Sequence, residues 1–89
     1  MIYTLQLSPK AEQDIAKLKR NTPNAYKKVA KLLSELQLHP TTGTGKPELL
    51  KHDRLGQWSR RIDREHRLVY EVHEDRVLVV VISAHGHYK

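Results

Sequence analysis

The chain has 89 residues, enough for one small domain (residues 1–89) and too few for two. Its 16 Lys and Arg against 10 Asp and Glu give a net charge of +6, which favours a polyanionic partner such as nucleic acid or an anionic membrane, although such charge also serves solubility alone. The sequence has no cysteine, which excludes disulfides, thiolate metal sites and a cysteine nucleophile. Neither a signal peptide nor a membrane span is indicated, and we expect a soluble, cytoplasmic protein.

The N-terminal half predicts a short strand followed by two helices. Residues 2–7 alternate between apolar and polar side chains, as a strand does. Ser8-Pro9 and Thr22-Pro23 each place a capping hydroxyl before a proline, a pattern that begins a helix. Apolar residues then follow at helical spacing in both segments: Ala11, Ile15, Leu18, Tyr26, Val29, Leu33 and Leu36. His39-Pro40 ends the second helix, and the short connection between the helices predicts a helical hairpin.

The C-terminal half predicts a loop and then a sheet. Residues 41–47 contain two glycines and a proline without periodicity, which is typical of a loop. Strand-like runs follow at 57–62, 66–72 and 77–83, with a weaker one at 49–52. The last strong run is apolar on both faces, which predicts a central strand covered on both sides. The fold class is therefore α+β: an N-terminal strand, a helical hairpin and then a three- to four-strand, mostly antiparallel sheet.

Alternation along two of these strands separates a core face from a polar face. Trp58 and Ile62 share one face of their strand, as do Leu68 and Tyr70 in the next, and both faces suit a core under the helices. Arg61 and Arg67 then lie on the opposite face of the sheet. A solvent-exposed sheet face often carries arginine without any function, so this pattern alone does not indicate a site.

Two flanking segments add chemistry to that polar face. The segment before the sheet supplies Lys46, Glu48, Lys51 and His52, and the C-terminal tail supplies His85, His87, Tyr88 and Lys89. Cleavage of RNA by its own 2′-hydroxyl needs a base, an acid and cations around the phosphate, and an aromatic ring can stack on a base. The combination predicts RNA binding and cleavage without a metal or other cofactor. Ordinary interpretations remain open, because a loop glutamate can simply pair with a lysine and a C-terminal histidine is often solvated.

Several of these segments together resemble the YoeB/Txe family of RelE-like toxins. The resemblance is carried by residues 45–52 (GKPELLKH), 56 (G), 58–62 (WSRRI), 65–70 (EHRLVY) and 87–88 (HY). It is dense over residues 43–72 and in the tail, whereas the N-terminal half agrees only in the order of its elements. The resemblance implies a RelE-like fold and a bacterial toxin that enters the ribosomal A site and cuts mRNA there.

The resemblance also implies roles for individual residues. Glu48 would be the general base, Arg67 the stabiliser of the phosphate and the transition state, and His87 the general acid. Tyr88 would help hold the substrate, and Lys51 and Arg61 would contact the RNA backbone. The residue pattern adds two further candidates for substrate binding, which are Lys46 and His85. No metal site is expected, since His85 and His87 form at best a weak chelating pair.

One departure from the family pattern leaves a role open. Relatives often have arginine where this chain has His85, so phosphate binding is weaker here or His85 competes with His87 as the acid. The expected partners are a cognate antitoxin, the 70S ribosome and mRNA, with a homodimer as an open question and no membrane. The alternative functions are a non-catalytic, ParE-like gyrase inhibitor and a plain ribosome- or RNA-binding protein on the same fold.

Overall fold

One mixed sheet of five strands carries two helices on one of its faces. The computed structural model describes residues 2–85. The elements in chain order are β1 (Thr4–Leu7), α1 (Pro9–Asn21), α2 (Pro23–Leu38), β2 (Glu48–Leu49), β3 (Gln57–Arg61), β4 (Arg67–His73) and β5 (Leu78–Ser83). The strand order is β1-β5-β4-β3-β2, in which β1 is parallel to β5 and the other neighbours are antiparallel. The predicted α+β class, with four strands after the helical hairpin, is confirmed.

The two helices begin at the predicted prolines, but only one has the predicted cap. The Ser8 hydroxyl accepts the Ala11 backbone N–H at 3.0 Å and donates to the Ile82 carbonyl at 2.7 Å. Ser8 therefore caps α1 and also ties its start to β5. Thr22 makes no side-chain capping bond, so α2 begins at Pro23 without that contribution. Neither helix in the described part of the chain has the length and apolarity needed to cross a membrane.

The core lies between the helices and the face of the sheet that they cover. Its largest fully buried apolar side chains, each at most 2% exposed, are Leu18, Val29, Leu32, Leu36, Leu68, Tyr70, Val79 and Val81. Leu32 is fully buried whereas Leu33, the predicted stripe residue, packs only partly against this core. The α2 stripe thus keeps the predicted Val29 and Leu36 but buries Leu32 more deeply than Leu33.

The prediction that the last strand is central and covered on both faces is wrong. β5 is the second of the five strands, and β4 occupies the centre of the sheet. Val79 is fully buried, but its neighbours Leu78 and Val80 are only half-buried. Among residues 2–85 the helices pack on a single face, so Leu78 and Val80 on the other face remain partly accessible. We call this second face the open face.

Arg60 is a fully buried charge on the core side of β3. Its five N–H groups have five acceptors, which is the full donor capacity of a guanidinium. Nε donates to the Tyr70 hydroxyl at 3.1 Å and Nη1 to Glu35 Oε1 at 3.0 Å. The remaining N–H groups reach the backbone carbonyls of His39, Thr42 and Thr44. One side chain thereby fixes much of the predicted loop between α2 and β2.

Glu35 completes this arrangement from α2. Its carboxylate accepts the Thr44 hydroxyl at 2.7 Å and the Thr44 backbone N–H at 2.9 Å. These bonds, followed by the nearby Arg60 charge, outweigh desolvation and lower the pKa of Glu35 from its usual 4.5. The ionised carboxylate therefore stabilises the fold at pH values above the usual pKa of 4.5. This stabilisation is lost as the pH falls through the lower pKa of the folded state. Gly43 (φ +119°) allows the loop to pass closely, because a Cβ there would lie 2.6 Å from Glu35 Oε1.

Replacing Arg60 by methionine is expected to lower the free energy of unfolding by about 3 kcal/mol or more, since it leaves Glu35 and the loop carbonyls without their buried donor. The matched control is Arg61→Met at the next, exposed position, which should change stability by less than about 0.5 kcal/mol. Urea unfolding followed by Trp58 fluorescence measures both. Equal losses at the two positions would contradict the role assigned to Arg60.

Candidate active site on the open face

A cleft of about 300 Å³ on the open face brings together four of the predicted site residues. Its lining residues are Lys46, Pro47, Glu48, Arg61 and Arg67. Three cations and one carboxylate thus share a single concavity, in which the carboxylate is the sole acidic group among these lining residues. Such an arrangement suits a phosphodiester, because the cations attract the phosphate while the carboxylate can accept a proton.

Strand register explains why these side chains converge. Arg61 and Arg67 are direct cross-strand partners on β3 and β4, and Glu48 lies opposite Ser59, two residues before Arg61. Side chains directly opposite each other have Cβ atoms about 4.5–5.5 Å apart, and like charges in such a pair repel. An anion bound between the two arginines would relieve that repulsion. The register therefore places two arginines side by side next to Glu48, an arrangement that suits an anion.

The loop before β2 is fastened to the end of β3, and this contact determines where Lys46 and Glu48 lie. The Arg61 backbone N–H donates to the Gly45 carbonyl at 2.7 Å. Gly45 has φ +86°, and a Cβ there would lie 2.8 Å from the Arg61 carbonyl oxygen. Only glycine fits this approach without strain. Lys46 follows in the left-handed region at φ +53°, which turns the chain towards β2.

Glu48 also borders a second cleft, of about 290 Å³, that contains Lys51. This cleft is lined by consecutive residues 48–54, which include His52 and Arg54. Lys51 is therefore a lining residue of the second cleft and not of the first. Glu48 therefore lines both clefts.

Of the predicted tail residues, only His85 is described. His87, Tyr88 and Lys89 lie outside the described residues. The exposed ring of His85 packs against His66, with ring centroids 5.0 Å apart and a 58° angle between the planes. His66, which was not predicted to be a site residue, is 9% exposed and hydrogen-bonded to Asp63.

Two further residues of β3 were not predicted from the sequence. Arg60 had an available signal, since it stands between Trp58 and Ile62 on the core-facing side of the strand. For Ser59 the sequence contained no signal other than the alternation of the strand. This residue is fully buried, and within residues 2–85 its hydroxyl has no hydrogen-bond partner. In the same part of the chain, no three His, Asp or Glu side chains come together as a metal site.

Comparison with known proteins identifies the chain's family. Residues 7–88 match the family described as YoeB-like toxin of bacterial type II toxin-antitoxin system. The chain belongs to this family. The YoeB-like toxin is 48% identical to toxin YoeB of Escherichia coli K12 over 59 residues, which is 66% of this chain and 70% of that protein. It is 43% identical to toxin YoeB of Synechocystis over 70 residues, which is 79% of each.

Solved structures agree with the family. The YoeB-like toxin superposes on the YoeB/ParE toxin from Agrobacterium tumefaciens with a TM-score of 0.89 and 35% identity, covering 96% of this chain and 99% of that one. The YoeB dimer from Staphylococcus aureus gives a TM-score of 0.85 at 35% identity, over 99% of this chain and all of that one. The same Staphylococcus toxin is known in a heterotetrameric YoeB-YefM toxin-antitoxin complex. The predicted family and fold are therefore confirmed, and the protein is the toxin component of a toxin–antitoxin system.

Half-buried Ser8 and fully buried Ser59 are expected to respond in opposite ways to alanine substitution. Ser8→Ala should lower the free energy of unfolding by about 1 kcal/mol, because the cap of α1 and its bond to β5 are lost. Ser59→Ala should leave stability unchanged or raise it by up to about 1 kcal/mol, because it removes no hydrogen bond seen within residues 2–85 and eliminates an unsatisfied buried hydroxyl. Parallel urea titrations compare the two variants. A loss at Ser59 as large as that at Ser8 would show that the Ser59 hydroxyl has a partner in solution.

Proposed function

We propose that this YoeB-like toxin is an endoribonuclease that enters the ribosomal A site and cuts mRNA there by metal-free general acid–base catalysis. The observation that carries the proposal is the cleft that places Glu48 among Lys46, Arg61 and Arg67. Translation would stop at the cut codon, and the protein would act in the cytoplasm.

In the proposed reaction Glu48 accepts the proton of a ribose 2′-hydroxyl while that oxygen attacks the neighbouring phosphorus. The bond from phosphorus to the 5′-oxygen breaks, and His87 donates a proton to this leaving oxygen. The products are a 2′,3′-cyclic phosphate and a 5′-hydroxyl, so no water is consumed. Each positioned proton-transfer group contributes roughly 10²–10⁴-fold to the rate.

The cations that line the two clefts have two roles in this proposal. Arg67 stabilises the additional charge on the phosphorane, for which the planar guanidinium is well suited, and Arg61 binds from the facing position on β3. Lys46 and Lys51, which line the two clefts that share Glu48, contact the RNA backbone. Tyr88 holds the substrate by stacking on a base.

A gyrase-directed function is the second candidate, because the similar Agrobacterium protein is named a YoeB/ParE toxin. A pure binding protein needs cations at this cleft but has no use for a carboxylate base among them. The two functions therefore differ in whether the Glu48 carboxylate is required.

The test of the enzyme uses ribosomes programmed with a defined mRNA, with cuts mapped by primer extension. Cuts are expected at the A-site codon, and Glu48→Gln, Arg67→Ala and His87→Ala should each lower the cleavage rate by at least about 10²-fold. Glu12→Gln, at an exposed position of α1, is the matched control for Glu48→Gln and should not change the rate. Absence of cutting by folded wild type, or equal rates in all variants, would reject the proposal and make a DNA gyrase assay the next experiment.

We also propose that an antitoxin covers the cleft, as the YoeB-YefM complex of the Staphylococcus relative suggests for this family. Its contacting segment should be acidic, because the residues it must cover are Lys46, Arg61 and Arg67. A homodimer is a further proposal, since the Staphylococcus relative is known as a dimer.

Co-expression with the adjacent open reading frame should restore growth, and the two proteins should co-purify. Arg61→Glu should weaken the complex by at least tenfold, since it places a negative charge opposite the acidic segment. Lys28→Glu on α2, in the helical layer, is the matched charge-reversal control and should leave affinity within threefold of wild type. Failure to neutralise or to co-purify would contradict the assigned partner.

A further inference from the structure

The chain that follows β5 is held at two consecutive residues. The backbone N–H of Ala84, which is fully buried, donates to Asp14 Oδ2 on α1 at 3.0 Å. The next residue, His85, packs its ring against His66 with centroids 5.0 Å apart. The start of the C-terminal segment is thus attached to the helical layer on one side and to the turn before β4 on the other.

His66 is itself held in one orientation. Its Nδ1 lies 2.9 Å from Asp63 Oδ1 and 3.1 Å from Oδ2. Asp63 Oδ1 also accepts the backbone N–H groups of Glu65 at 2.8 Å and His66 at 2.7 Å. Desolvation raises the pKa of Asp63, but these hydrogen bonds together lower it below its usual 3.8, so the group remains an acceptor at neutral pH. The carboxylate therefore assigns the Nδ1 proton to His66 and fixes the ring.

Strand register places this pair beside the proposed active site. Ser83 of β5 lies opposite Val69 of β4, so the antiparallel chain that continues to His85 runs towards Arg67 and His66. The Ile62 N–H donates to the His66 carbonyl at 2.9 Å, which sets His66 opposite the core residue Ile62. His66 thus precedes Arg67, which lines the cleft on the open face.

We propose that Asp63, His66 and His85 are positioning residues that fix the base of the C-terminal segment beside Arg67. This inference rests on the proposed function, in which His87 is the acid. A two-residue peptide spans at most about 7 Å, so anchoring His85 restricts the region that the acid can occupy. His85 acts through ring packing and not through proton transfer or phosphate binding.

An aromatic substitution separates packing from proton transfer. His85→Phe keeps a ring of similar shape but has no proton to donate and no charge. In the programmed-ribosome assay it should retain at least a third of the wild-type rate at saturating ribosomes. His85→Ala should lower that rate about tenfold, while the half-saturating ribosome concentration stays within twofold, because the acid is misplaced but binding is intact.

A double-substitution cycle tests whether the two histidines act together. His66→Ala should lower the cleavage rate about as much as His85→Ala does. The double variant should cleave no more slowly than either single variant. His73→Ala is the matched control, since His73 also contacts a carboxylate, Glu71, but lies at the far end of β4, and it should keep the wild-type rate. His85 is exposed, so its variants test the anchor even where His66→Ala is unstable.

Two results would overturn the proposal. If His85→Phe is as inactive as His87→Ala while His85→Lys or His85→Arg retains activity, His85 supplies a charge; if all three are inactive, it supplies the proton. Independently of cleavage, the His85 imidazole NMR signals should shift in His66→Ala, and unchanged signals would also reject the anchor. Absence of cutting by wild type rejects the proposed function alone, because the NMR comparison still decides whether the anchor exists.

Discussion

The geometry of the candidate active site depends on a guanidinium buried on the opposite side of the sheet. A buried charge costs several kcal/mol unless it is fully paired, and Arg60 satisfies this condition with five acceptors. Three of them are backbone carbonyls of the loop after α2, a segment that has no helix or strand to hold it. Gly45 then attaches the end of this loop to β3, from which Lys46 and Glu48 follow. The position of Glu48, the proposed base, thus depends on the bonds that Arg60 and Gly45 make.

Arg60 and Arg61 are neighbours on β3, but their side chains lie on opposite faces of the sheet. Arg60 faces the helices and is inaccessible to any ligand, whereas Arg61 is exposed beside Arg67. The same side-chain chemistry therefore supports structure in one case and offers binding in the other. The two arginines differ in their burial and in their hydrogen-bond partners, which the type of residue does not reveal.

Local patterns predicted the elements well because their causes are local. Ser8-Pro9 predicted the start of α1, and alternation placed Arg61 and Arg67 on a common face. The parallel pairing of β1 with β5 and the five bonds of Arg60 could not be predicted, since they join residues far apart in sequence and involve backbone carbonyls that no side-chain pattern reveals. The prediction that β5 is covered on both faces was wrong, because apolar residues on both faces of a strand do not specify which element packs against each face.

The predicted site divides in the same way. Residue types alone indicated a base, an acid and cations, but the family resemblance selected Glu48, Arg67 and His87 among the candidates. The structure places Glu48 and Arg67 in one cleft and leaves the tail residues 86–89 outside the described part. The Asp63–His66 pair escaped prediction because no motif marks a histidine whose role is to hold a neighbouring ring.

The pairing of β1 with β5 has a consequence for the protein's own synthesis. Thr4 pairs with Leu78, 74 positions later in the chain. At about 5–20 residues per second, a ribosome needs roughly 4–15 s to make the partner of a strand already synthesised. During that interval β1 has an unpaired edge and α1 lacks the bond from Ser8 to Ile82. A nascent chain therefore cannot complete this sheet, so the proposed ribosome-targeting activity would begin only after the ribosome making the protein has translated β5.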